Sequence, residues 1–190
     1  PRMTDPRRIE EAGLNALQTQ RQLFYDGWLL RLSAGKAKRA RSVNAHFGST
    51  LPVDRKIEYC ERVYAQHGLA PLFRMTPFDR PAELEAALGT RGYVAFEETL
   101  VQAAALGQAP ELPAAREDVS IGPLDVDAFV DAVGGLRNSS AAQRDAHRER
   151  LQNSPLDKRC IAVRVGEEVV CTAQAVIEGD LAGLYDVVTA

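Results

Sequence analysis

The chain has 190 residues, 45% hydrophobic and 26% charged, with a net charge of -3. That is enough for one large domain or two small ones, and the slight acidity offers no overall basic field for nucleic acid. No apolar run reaches the ~20 residues a bilayer crossing needs and no secretory signal pattern opens the sequence, while Cys60, Cys160 and Cys171 are odd in number and too widely spaced for a disulfide framework. A cytoplasmic protein without membrane or nucleic-acid partners is expected.

The first helix is expected over residues 5–20: Asp5 can cap it, Pro6 suits its first position, and Ile9, Leu14 and Leu17 share a stripe. A strand follows over 24–32, and Gly35 turns it into a second over 39–47. Residues 50–66 return to helical spacing with Ile57, Cys60, Val63 and Tyr64 inward, ended by Gly68. A short strand at 72–75, a helix over 81–90 and a strand over 96–106 complete an α-β-β-α-β-α-β order. The small, proline-bearing stretch 107–117 reads as a linker between a module at 1–106 and one at 118–190.

In the second module a strand at 119–121 precedes a helix over 124–133, closed by Gly134-Gly135, and a charged helix capped by Ser139 or Ser140. Three β-branched runs then alternate with turns at Gly166-Glu167 and Gly179-Asp180, the pattern of an antiparallel meander. Regular pairing puts Val163 opposite Val170 and Ile161 opposite Thr172, with Cys160 and Cys171 on one face. The last run, Leu184 to Val188, presents an open edge that a second copy or a further segment would cover.

This second order resembles the opening half of the GNAT superfamily of acyl-CoA-dependent N-acyltransferases. The run from Ile161 to Ala173 looks like the family's second and third strands, and Leu184 to Ala190 like its fourth. The first module resembles the other half, with Leu84 to Tyr93 similar to the helix and Gly-aromatic step after the fifth strand. The whole resembles tandem proteins in which a degenerate GNAT-like lobe precedes a working one. The implied fold is α/β (α+β): two GNAT-like modules with mixed, mostly antiparallel sheets flanked by helices.

The family's glycine-rich pyrophosphate loop, Q/R-x-x-G-x-G/A, appears in neither module. Its counterpart in the first, residues 48–54, carries Pro52 and Asp54 and suits a diphosphate poorly. In the second it would lie beyond Ala190, so the working domain is expected to be incomplete. The resemblance implies transfer of an acetyl group from acetyl-CoA to a small-molecule or peptide amine; no metal is expected, because His46, His67 and His147 are far apart and show no ligand spacing. It assigns donor binding to the backbone of Val187, Val188 and Thr189, and shaping of the acceptor side to the loop around Asn138.

Among carboxylates, Asp186, Glu178 and Asp180 are candidate bases. Asp186 is favoured because partial burial in an apolar strand would raise its pKa. Tyr185 and Trp28 are candidate substrate contacts, Trp28 through a cleft between modules. The alternative is a non-catalytic binding or assembly module, with a homodimer formed through 184–188.

Overall fold

A computed structural model describes residues 5–107 and 116–190, so most of the expected linker at 107–117 lies outside the described residues. Two compact units divide the chain: Thr19–Ala104, and Pro1–Gln18 together with Ala105–Ala190. Helix α1 (Pro6–Ala16) starts as expected, with the Asp5 carboxylate accepting from the Arg7 N–H at 3.0 Å and Pro6 in the first turn. It belongs to the second unit, not to the leading module.

In the first unit, β1 (Gln22–Tyr25) and β2 (Trp28–Arg31) form a hairpin, and β3 (Val43–Asn44) pairs antiparallel with β2. Helix α2 (Val53–Gln66) crosses to β4 (Phe73–Arg74), parallel to β3, and α3 (Leu84–Thr90) follows. Trp28, Leu30, Val43, Ile57, Cys60, Tyr64, Leu84 and their neighbours make the core. Buried polar ends are answered: the Trp28 indole donates to the Arg80 carbonyl at 2.8 Å, and the Tyr64 hydroxyl to that of Arg31 at 2.8 Å.

Two expected strands change. The one over 39–47 shrinks to β3 after a 3-10 turn at Lys38–Ala40. The one over 96–106 joins no ladder among the described residues, and its Phe96 and Leu100 are exposed. Alternating apolar residues fit a pleated surface, but a strand exists only with a ladder partner.

The second unit is a four-stranded antiparallel sheet in the order β5 (Val119–Pro123), β6 (Asp157–Val165), β7 (Glu168–Glu178), β8 (Leu181–Thr189). One face, carrying Cys160, Ala162, Thr172, Gln174 and Val176, is buried, and α4 (Val126–Leu136) packs on it. Helix α5 (Ala141–Asn153) is bound to α4 by charge: Arg148 reaches Asp127 at 2.8 Å and Asp131 at 3.4 Å. Gly134 does not end α4 as expected. It lies inside the helix, where a Cβ would sit 2.5 Å from Arg144 Nε, so the glycine clears a path for the Arg144 side chain.

The meander forms as expected, with a bulge in each hairpin. Beyond Arg164↔Val169 the pairing resumes at Val163↔Cys171, leaving Val170 extra, so Ile161 faces Ala173 rather than Thr172. A slip of one residue moves side chains to the other face. Cys160 is therefore on the helix side and Cys171 on the open side, not on one face together. No helix among the described residues is long and apolar enough to cross a membrane.

The β1–β2 turn is Asp26-Gly27, both at positive φ (+43° and +84°), the conformation an Asp-Gly hairpin favours. A Cβ on Gly27 would lie 2.4 Å from the Gly48 carbonyl oxygen. Gly27→Ala should therefore lower the stability of this unit by about 3 kcal/mol, through combined φ strain and backbone overlap. Urea unfolding followed by the fluorescence of Trp28, the sole tryptophan, measures it.

Candidate functional site

The second bulge builds the candidate site. In the β7–β8 pair, Thr172 faces Val188 and Gln174 faces Tyr185, so Asp186 and Val187 together oppose Ala173. Asp186 takes the left-handed conformation at φ +48°, and the Thr172 hydroxyl donates to its carbonyl at 3.2 Å. Alternation is broken here. Asp186 turns toward the helices, on the side that Tyr185 already occupies, and Val187 points outward, 59% exposed.

Three side chains from the helical layer converge on the Asp186 carboxylate. Arg137, at the end of α4, donates through Nη1 to Oδ1 at 2.9 Å. His147 Nε2 lies 3.1 Å from Oδ2, off the ideal hydrogen-bond line, with its ring edge-on to buried Phe129. Arg150 Nη2 is 3.6 Å from the same oxygen, and its side chain is only 8% exposed. Burial alone would raise the Asp186 pKa; the close His147 imidazole and the charges of Arg150 and Arg137 outweigh it and hold the carboxyl below the usual range. The expected upward shift is thus reversed, because the strand's apolar neighbours are not what the carboxylate touches. Arg150 is itself pulled down by burial, against the pull of Asp186.

The other expected residues separate into distinct settings. Glu178, at the far end of the β7–β8 hairpin, accepts from Asn15 Nδ2 at 3.2 Å on both oxygens, and Arg8 lies 3.8 Å away. Asp180 meets Arg8 at 3.4 Å. These contacts tie α1 to the hairpin turn. Five residues of β8 separate that turn from Asp186, or ~16 Å at strand rise.

Tyr185 lies flat over Gly183, where a Cβ would sit 2.4 Å from its hydroxyl oxygen. Asn138 is exposed at φ +49° just past α4, a backbone position that Asn tolerates well. Val188 packs at the edge of the helix-side core, and Thr189 is exposed. Trp28, expected as a substrate contact, is instead fully buried in the core of the first unit.

Arg137, His147 and Arg150 were not among the expected site residues. A signal existed in part: His147, Arg150 and Leu151 stand at i, i+3 and i+4, one face of a helix, and Leu151 is buried. No group of three or more metal-capable side chains forms among the described residues.

A solved structure described as a GCN5-related N-acetyltransferase from Kribbella flavida superposes on 99% of this chain and 74% of its own, with a TM-score of 0.64 and 16% identity. The two share a fold. No protein-family model and no curated protein sequence matches the chain.

Asp186→Asn leaves Arg150 buried without its counter-charge and should cost about 3 kcal/mol in chemical denaturation followed by circular dichroism. The sign with pH is fixed by the lowered pKa. The contribution is complete above the unfolded carboxyl value of about 3.9 and is lost as pH falls through the folded value. The penalty of the substitution should therefore shrink in acid below about pH 4.

Proposed function

We propose that this chain is part of an acetyl-CoA-dependent N-acetyltransferase, and that the acyl donor lies along the outer edge of β8. In this reading the backbone of Val187, Val188 and Thr189 receives the thioester arm, as a further strand would be received. The amine approaches past the α4–α5 loop, from the side of Arg137 and Asn138. Its nitrogen attacks the thioester carbonyl carbon, the C–N bond forms as the C–S bond breaks, and the thiolate takes up the proton the amine gives up.

The observation that carries the reading is the bulge at Asp186–Val187. It interrupts the ladder of an edge strand on an acetyltransferase fold and is braced from behind by charged side chains of the helical layer. In this reading Asp186 anchors that backbone rather than acting as base, and the bracing supports it.

An apolar face carrying Ile161, Ile177, Leu184 and Val187 at the surface lies beside that edge and suits a binding surface. Three free cysteines suit a reducing, cytoplasmic setting. The exposed Leu184 and Val187 also favour a second reading, an assembly module that pairs β8 with a second copy.

S-acetylpantetheine carries the thioester arm without the nucleotide, and so probes the edge without the diphosphate loop. Titrated into 15N-labelled protein, it should shift the Val187, Val188 and Thr189 amides in a saturable way. Unmoved β8 amides at millimolar ligand, with a dimer whose exchange broadening centres on 184–188, would replace the transferase reading by the assembly module.

A further inference from the structure

In the first unit, a carboxylate of the chain itself sits where a free anion would. Asp26 reaches from the β1–β2 turn to the segment before α2. There the Thr50 N–H lies 3.0 and 2.9 Å from its two oxygens, and the Leu51 N–H lies 2.9 Å from Oδ2. The Thr50 hydroxyl donates to Oδ1 at 2.8 Å. Lys56, in the first turn of α2, brings Nζ to 3.3 Å from Oδ2 and donates to the Asp26 carbonyl at 2.6 Å.

Lys56 is the decisive member. Its side chain has no solvent exposure, and its ammonium lies 4.1 Å from the centroid of the Trp28 ring. Burial lowers its pKa, and Asp26 opposes that shift. A wholly buried ammonium needs an anion beside it, and removing that anion leaves a costly bare charge. Two converging backbone N–H groups, a hydroxyl and an ammonium form a donor set suited to carboxylate or phosphate oxygens. Glycine at 27 is what lets the turn press close enough for Asp26 to fill it.

We propose that Asp26 is a built-in plug: the donors of Thr50, Leu51 and Lys56 form an oxyanion site that the native chain holds closed and that shortening Asp26 opens to a small carboxylate. That donor set is thereby held shut by an occupant. The Leu51 N–H, followed by the Thr50 groups and Lys56, holds the Asp26 carboxyl well below the usual carboxylate range. Mild acid therefore does not release it.

The test is anion rescue of the full chain. Asp26→Ala should melt several degrees below the native protein in sodium chloride. Sodium acetate at equal ionic strength should restore most of that loss with saturable dependence, while the native protein responds to the two salts alike. Lys56→Met in the Asp26→Ala background should abolish the saturable response. If Asp26→Ala does not fold in chloride, refolding it in acetate replaces the melt: recovery of native Trp28 fluorescence in acetate alone supports the plug. Equal behaviour of Asp26→Ala in acetate and chloride, in either format, overturns it, as does a native protein that gains as much from acetate as the variant.

Discussion

The second unit depends on one carboxylate at a strand bulge. Asp186 is the residue by which β8 exceeds β7, and its left-handed backbone turns the side chain out of the strand's alternation into the helical layer. A half-satisfied carboxylate there would be a liability, since desolvation of an unpaired charge costs several kcal/mol. The structure answers with Arg137 from the end of α4 and with His147 and Arg150 from α5. One contact thus joins the end of one helix, the face of another and the edge strand. It also explains the poor amphipathicity of α5, which is held by Leu151 on one side and by arginines on the others.

The two units solve a similar problem with different partners. Asp26 and Asp186 both stand at positive φ, and each has a buried cation beside it, Lys56 or Arg150. Asp26 accepts mostly from backbone N–H groups, so its charge is spread over peptide dipoles at the start of a helix. Asp186 relies on side chains, and three atoms of the cluster, its own Oδ2, His147 Nε2 and Arg150 Nε, have no aligned hydrogen-bond partner. Carboxylates held by backbone donors are fixed as tightly as the backbone is. Those held by long side chains are fixed through the helices that carry those side chains, here α4 and α5.

Much of the fold was legible because its signals are local. Gly166 and Gly179 both stand at positive φ in the turns where the sequence placed them, and the β-branched runs between them are β6, β7 and β8. Ser140 and Gln143 form a full capping box at the start of α5. What stayed hidden depends on partners distant in sequence. The apolar stripe of α1 specifies burial without naming a sheet, and it lies with the second unit. Residues 96–106 have strand composition without a ladder. The bulges at Val170 and Asp186 leave no trace in composition, yet each reverses the facing of neighbouring side chains. That is why Cys160 and Cys171 separate and why Tyr185 and Asp186 share a side.

The site shows the same division. Asp186 stands out in the sequence as a lone carboxylate in an apolar strand. Its role was not readable there, because the sign of its pKa shift is set by residues 36 to 49 positions earlier in the chain. A carboxyl held below its usual range is ionised at neutral pH but accepts a proton reluctantly, so it makes a weak general base. Glu178 is bound to α1 at the opposite end of the hairpin. In the proposed reaction the amine must then shed its proton to water or to the departing thiolate. Such chemistry asks of the protein mainly alignment and exclusion of competing geometries. A rigid, charge-braced bulge provides alignment, and that is the contribution that fits Asp186 as this chain holds it.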